Sequence, residues 1–76
     1  MNFTGALEIS VRYKVTYRSP AMRKDRTMVA SYLGYTDNGV DKETHWSLRP
    51  MAGTSTMPES WIISTVPTTE DISIGR

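Results

Sequence analysis

The stretch Leu7-Glu8-Ile9-Ser10-Val11-Arg12-Tyr13-Lys14-Val15-Thr16-Tyr17 decides the fold, because apolar and polar side chains alternate along it without interruption. An unbroken period of two is typical of a half-buried β-strand. Eleven residues at about 3.3 Å per residue give a strand of roughly 35 Å. In a chain of 76 residues a strand of this length is expected to bend around a core. The stretch therefore predicts a long, curled first strand at the start of a small β-barrel.

Length and composition favour a single all-β domain. A chain of 76 residues has room for one core, and chains of about this size bury only about 60% of the surface of the unfolded chain. Without cysteine, neither disulfides nor thiolate metal ligands can supplement apolar packing. Serine and threonine number eighteen whereas alanine and leucine number seven, a composition that is poor in helix formers.

The second strand is predicted over residues 27–35, where apolar side chains occur on both faces. This pattern is typical of a central strand of a sheet. Asn38-Gly39 follows, and Asn-Gly is the preferred pair for a two-residue hairpin turn in which both central residues have positive φ. The sequence therefore predicts a tight hairpin between the second and third strands.

The third strand is predicted over residues 44–49, with Trp46 and Leu48 facing the core. Pro50 ends it because proline has no backbone N–H to donate. A short fourth strand follows, and a proline-initiated 3₁₀ turn at residues 57–60 precedes a fifth strand over residues 61–66.

Residues 68–76 are predicted to form a polar C-terminal tail, so the barrel is assigned to residues 1–67. In this tail only Ile72 and Ile74 could add to a sheet edge.

One block of the sequence resembles the second half of SH3-like barrels. It consists of a tryptophan strand, a glycine, and a proline-led 3₁₀ turn that leads into the last strand: His45-Trp46-Ser47-Leu48-Arg49, Gly53 and Pro58-Glu59-Ser60-Trp61-Ile62. The resemblance implies a five-stranded SH3-like barrel in which residues 18–26 correspond to the RT loop. The peptide groove of SH3 domains uses acids in that loop, whereas this loop holds Arg23, Lys24 and Arg26 with Asp25 alone, so the resemblance does not extend to polyproline binding. The segment from Leu48-Arg49-Pro50 to Trp61-Ile62 also resembles small accessory proteins encoded by phages.

Catalytic chemistry is not indicated by the sequence. A nucleophile, a general base and its orienting group need converging His, Cys, Ser or acidic side chains, and the chain has a single histidine, His45. A strand histidine beside a tryptophan is more typical of a solvated position than of a metal ligand, and the glycines match no phosphate-binding loop. The sequence predicts no enzyme, no metal and no cofactor.

Neither a membrane segment nor a signal peptide is indicated. No run reaches the roughly 18 apolar residues of a membrane helix, and the first residues lack a basic start followed by an apolar stretch. A cytoplasmic location without membrane contact is expected.

Binding remains, and the first hypothesis is contact with an unidentified protein, for example as a modulator or inhibitor of a larger partner. Interfaces favour Tyr, Trp, Met and Arg, and the chain holds four tyrosines, two tryptophans and five methionines. The predicted contact residues are Arg49, Pro50, Met51, Met57 and Tyr32. The methionines can equally fill gaps in the core. Open strand edges also allow pairing with a second copy of the chain.

The alternative hypothesis is nucleic-acid binding. Residues 1–26 carry six Lys or Arg against two acids, and residues 27–76 carry three against six. The predicted phosphate contacts are Arg12, Lys14, Arg18, Arg23, Lys24 and Arg26, on the first strand and the following loop. Tyr32 or Trp46 would add base stacking if exposed. The competing interpretation is that these cations only keep the sheet in solution and protect its edge.

Overall fold

The structure, a computed structural model, describes residues 7–74 and consists of one antiparallel β-sheet. Its strands are β1 (Arg12–Tyr17), β2 (Arg26–Asp37), β3 (Lys42–Ser47), β4 (Thr54–Pro58) and β5 (Ile62–Pro67). A 3₁₀ turn, Glu59–Trp61, connects β4 to β5. The predicted all-β class, the five strands and the 3₁₀ turn before the last strand are confirmed. Residues 1–6 of the predicted barrel and residues 75–76 of the predicted tail lie outside the described residues.

The sheet is strongly curled, and the connection between its two edge strands requires this shape. The strand order is β4-β3-β2-β1-β5, so β4 and β5 lie at opposite edges. In a flat sheet four spacings of about 4.8 Å would separate them by about 19 Å. The three residues of the 3₁₀ turn can span only about 14 Å even when extended. The two edges therefore approach each other without closing the sheet into a complete barrel, an arrangement compatible with a small β-barrel-like fold.

The prediction of a long first strand is wrong, because β1 begins only at Arg12. Ser10 has a φ of 72°, a left-handed conformation that interrupts an extended strand. The Val11 N–H donates to the Glu8 carbonyl at 3.3 Å and closes a turn there. The alternation is real within β1, where Tyr13 and Val15 are buried, but the side-chain period cannot reveal a change in backbone φ.

The long strand is instead β2, which has 12 residues and lies between β1 and β3 as predicted for a central strand. Its first half pairs with β1 from Arg26 to Ser31. Its second half pairs with β3, and the register shifts between Tyr32 and Gly34. Leu33 is the extra residue of this β-bulge, and a bulge of this kind bends and twists its strand.

The predicted two-residue hairpin turn is also wrong, since the β2–β3 connection has four residues, 38–41. Gly39 has a φ of 89°, but Asn38 does not have the positive φ that the tight turn requires. The Asn38 side-chain oxygen instead accepts hydrogen bonds from the N–H groups of Val40 and Asp41, at 3.0 and 2.9 Å. Side-chain capping of the loop by asparagine replaces the tighter turn.

The core lies on the concave face of the curled sheet and is centred on Trp46. The Trp46 ring contacts the Tyr13 ring edge-on at a centroid distance of 6.3 Å and the Tyr32 ring at 5.0 Å. Leu48 is buried as well, so both residues predicted to point inward from the third strand do so. Residues from all five strands contribute to this cluster, which also contains Val15, Met28, Ala30, Met57 and Ile62.

A hydrogen-bonded threonine satisfies the polar atom of the central tryptophan. The Trp46 Nε1–H donates to the Thr44 hydroxyl at 2.8 Å, and that hydroxyl donates to the Met57 carbonyl at 2.8 Å. Thr44 is fully buried. Buried indole N–H groups normally have a partner, and here the partner links β3 to β4.

The chain after β5 packs against the sheet. The Ser73 N–H and carbonyl exchange hydrogen bonds with Val29 of β2, at 3.1 and 2.9 Å. Ile72 is buried in the core, whereas Ile74 is largely exposed. Of the two isoleucines predicted to add to a sheet edge, Ile72 thus enters the core and its neighbour Ser73 makes the backbone bridge. This segment covers part of the edge of β2.

Candidate interaction surfaces

The five residues predicted to contact a protein do not form one continuous surface. Arg49, Pro50 and Met51 lie in the loop between β3 and β4, where Pro50 and Met51 are exposed, and the Arg49–Pro50 peptide bond is cis. Tyr32 and Met57 are buried because they point to the concave face around Trp46. Binding of a partner by this loop stays a prediction. Tyr32 and Met57 instead pack in the core.

A different surface carries exposed apolar side chains around a concavity of about 430 Å³, which we call the apolar groove. Among its residues, Ile9 is 65% exposed, Leu33 42% and Tyr35 47%. The groove is lined by Leu7, Ile9, Tyr32, Leu33, Gly34, Tyr35, Thr36 and His45. It therefore draws on the segment before β1, the second half of β2, and β3.

Local backbone irregularities shape the apolar groove. The left-handed Ser10 directs the segment before β1 along β2, where the Ser10 N–H donates to the Tyr32 carbonyl at 2.7 Å. The bulge at Leu33 removes this residue from the regular alternation of the strand. Gly34 has a φ of 108°, and a Cβ on it would lie 3.7 Å from Ile9 Cδ1. Ile9 therefore rests over the side of Gly34 that has no side chain.

Polar groups line part of the apolar groove and lie beside it. Thr36 Oγ1 and His45 Nε2 are hydrogen-bonded at 3.0 Å on neighbouring strands. The Lys42 Nζ lies 5.3 Å from the centre of the Tyr35 ring, within the range of a cation–π contact. Exposed apolar side chains together with polar groups are a common composition of protein-binding surfaces.

The buried Tyr32 hydroxyl has no hydrogen-bond partner in the described part of the chain. Burial raises the pKa of this phenol, and the neighbouring Tyr35 and Glu59 raise it further. The group thus stays neutral at physiological pH, and its ring serves the core rather than base stacking. Trp46, the other residue predicted to stack on bases if exposed, is fully buried.

The predicted basic strip divides into two parts that differ in their partners. Glu70 engages two cations of β1: its carboxylate lies 3.5 Å from Lys14 Nζ, and its carbonyl accepts a hydrogen bond from Arg12 at 2.8 Å. Arg18 pairs with Asp25 at 3.6 Å. Arg12, Lys14 and Arg18, which make up half of the predicted strip, therefore contact other segments of the chain.

The other half of the strip is Arg23, Lys24 and Arg26, which form no ion pair within residues 7–74. All three are exposed, and they line a concavity of about 440 Å³ together with Ala21 and Met22. We refer to residues 21–26 as the basic loop. Since the Asp25 carboxylate is paired with Arg18, the basic loop presents concentrated positive charge to solvent.

The β2–β3 connection is tied to the 3₁₀ turn by one side-chain contact. The Ser60 hydroxyl donates to the Asp41 carboxylate at 2.6 Å. This hydrogen bond, with smaller contributions from backbone N–H groups, lowers the pKa of Asp41 below its ordinary value of 3.8. The contact fixes two segments relative to each other at one end of the sheet.

The described residues contain no group of three or more His, Asp or Glu side chains that could hold a metal ion. A helix long and apolar enough to cross a membrane is likewise absent from residues 7–74. The predictions that the protein is not an enzyme and takes no cofactor stay predictions.

The sequence hypotheses missed the apolar groove because Leu33 and Tyr35 fit a central strand that is buried on both faces. The one available signal was Gly34, since glycine within a strand often marks a bulge or a close approach. None of the protein families, curated proteins or solved structures compared with this chain matches it.

Proposed function

We propose that the protein is a non-enzymatic, SH3-like binding module that acts by protein–protein contact through the apolar groove. The observation that carries the proposal is the exposure of Ile9, Leu33 and Tyr35 around one concavity. Single exposed apolar residues are normal on protein surfaces, but contiguous ones with a polar border are typical of interaction sites. A cytoplasmic location and a relationship to phage accessory proteins belong to this proposal and rest on sequence patterns alone.

The backbone around the groove supports the proposal. A left-handed serine, a bulge and a left-handed glycine converge at this surface. Of these features, the left-handed Ser10 is a non-glycine residue in a sparsely populated conformation, which costs on the order of 1 to 3 kcal/mol, and such residues cluster at functional sites.

The edge of β2 next to the groove supports an extended segment of a partner as the occupant. β1 pairs with β2 only as far as Ser31, and Val11 and Ser10 continue the hydrogen bonding as far as Tyr32. Within residues 7–74 no strand pairs with this edge beyond Tyr32. A partner strand could therefore hydrogen-bond to the edge while its apolar side chains enter the groove.

The size of the protein sets the scale of the interface. A standard interface takes about 800 Å² from each partner. The accessible surface of this protein is 5042 Å², so such an interface would occupy about one sixth of it. The apolar groove would form the centre of the interface, and residues around it would form the border.

The test compares Leu33→Asp with Val40→Asp in capture of partners by the tagged protein. Val40 is 96% exposed in the β2–β3 connection and does not line the apolar groove, so it is a matched apolar-to-acid control. We expect specific proteins to be captured by the wild type and the control and lost with Leu33→Asp. Circular dichroism must show that both variants are folded.

A site-specific photocrosslinker at Leu33 should mark the same captured protein, and one at Val40 should not. If folded Leu33→Asp still captures the partners of the wild type, the apolar groove is not the binding surface. The same conclusion follows if no protein is crosslinked at Leu33 or at Val40.

A further inference from the structure

We infer that the basic loop binds the phosphate backbone of single-stranded nucleic acid, at a site separate from the apolar groove. Of the six cations predicted to contact nucleic acid, Lys14 and Arg18 form ion pairs and Arg12 donates to the Glu70 carbonyl, whereas Arg23, Lys24 and Arg26 form no ion pair among the described residues. Guanidinium groups match phosphate geometry through paired N–H donors, and lysine adds a point charge.

The shape of the loop concentrates these charges. Arg23, Lys24 and Arg26 fall within four consecutive positions and line one concavity of about 440 Å³. The acid within the run, Asp25, is turned to Arg18, with 3.6 Å between the charged atoms. A concave surface lined by charge of one sign attracts the opposite charge more strongly than a flat one.

An aromatic residue lies at the base of the loop. Tyr17 is the last residue of β1, precedes Arg18, and pairs across the sheet with Arg26. It is only partly buried and packs against the edge of the core. A partly exposed ring beside cations is the combination with which proteins hold single strands, since every base has a face that can stack.

A single strand fits the loop better than a duplex. Sequence-specific duplex binding inserts a helix or a β-ribbon into the major groove. The described chain has no α-helix, and residues 18–25 form an irregular loop between β1 and β2. Contact with phosphates and stacking on Tyr17 require neither element.

The number of phosphates contacted predicts how steeply the binding affinity falls with salt concentration. Neutralising three phosphates of a single strand predicts a slope of about −2 in the plot of log affinity against log salt concentration. Raising the salt concentration from about 50 to about 200 mM should then lower the affinity about 20-fold.

The experiment measures binding of a fluorescein-labelled oligo(dT) and oligo(rU), each of about 20 nucleotides, by fluorescence anisotropy over this salt range. The loop variant carries Arg23→Gln, Lys24→Gln and Arg26→Gln. The control carries Val40→Asp, Lys42→Gln and Arg49→Gln, which lower the net charge by the same three units outside the loop and outside the predicted basic strip. Both are checked for folding by circular dichroism.

We expect the loop variant to lose at least about tenfold in affinity at low salt and to have a much shallower slope. The control variant and Leu33→Asp should stay within about threefold of the wild type. An equal loss in the two triple variants would show attraction to net charge alone and would overturn the site. Absence of binding at low salt, or equal binding of labelled polyglutamate, would overturn nucleic acid as the ligand. Leu33→Asp is expected to lose protein partners but to keep nucleic-acid binding. Failure of this inference can therefore be distinguished from failure of the proposed function.

Discussion

Replacing Thr44 by valine tests whether one hydroxyl holds the core together. The two side chains have nearly the same shape, so the change removes the hydroxyl and leaves the packing of β3 nearly intact. In the wild type this hydroxyl accepts from Trp46 Nε1–H and donates to the Met57 carbonyl, each at 2.8 Å, in a fully buried position. Valine leaves both partners without this hydrogen bond.

The expected loss of stability follows from these two contacts. A buried donor left without a partner costs about 1 to 3 kcal/mol, and loss of the second hydrogen bond costs about 0.5 to 1.5 kcal/mol. The added methyl group returns up to about 0.8 kcal/mol of hydrophobic free energy. We expect a net loss of about 1 to 4 kcal/mol, with a midpoint of about 2 kcal/mol. For a chain of 76 residues, whose total stability should be about 4 to 11 kcal/mol, this is a large fraction.

Urea unfolding and thermal melting measure this loss. The melting temperature should fall by about 10 to 20 °C, and hydrogen exchange of the Trp46 indole N–H should become faster. The control is Thr56→Val, a threonine exposed on β4, which should change stability by no more than about 0.5 kcal/mol. If Thr44→Val is as stable as this control, the hydroxyl does not bridge β3 and β4, and the core owes its stability to apolar packing alone.

Two further predictions concern the tryptophans and the loop contact. Trp46→Ala should cost about 3 to 5 kcal/mol and Trp61→Ala clearly less, because Trp46 is fully buried and Trp61 only partly; equal losses in urea unfolding would contradict the burial difference. Ser60→Ala should raise the pKa of Asp41 towards 3.8 in a carboxyl NMR titration, because the alanine cannot donate the hydrogen bond. Since the folded pKa of Asp41 is lowered, its contribution to stability is present above about pH 4 and is lost as the pH falls through the lowered value. The stability difference between wild type and Ser60→Ala should therefore shrink in acid, and a difference that grows in acid would refute this assignment.

Sequence patterns predicted what depends on side-chain period and composition. Tyr13, Val15 and Trp46 alternate with polar neighbours, and alternation determines which face of a strand is buried. Pro58 preceded the 3₁₀ turn as predicted, because proline has the φ that such a turn needs at its start. These features are local, so a single sequence contains them.

The features that sequence patterns did not predict depend on backbone φ and on partners distant in the chain. Ser10 belongs to a perfect alternation, yet its left-handed φ ends the strand there. Asn38 belongs to a preferred hairpin pair, but its side chain caps a longer loop. Glu70 lies far along the chain from the cations that it engages, so the division of the basic strip could not be seen from charge spacing.

Strand β2 connects the two proposed surfaces and sets their separation. It begins at Arg26, which belongs to the basic loop, and its bulge at Leu33 shapes the apolar groove. Seven residues of strand span at most about 23 Å, and the curl of the sheet shortens this distance. A bound segment at the groove and a bound strand at the loop would therefore lie on one small module at fixed spacing. Because β2 is the central strand of the sheet, paired first with β1 and then with β3, it can keep that spacing while either site is occupied.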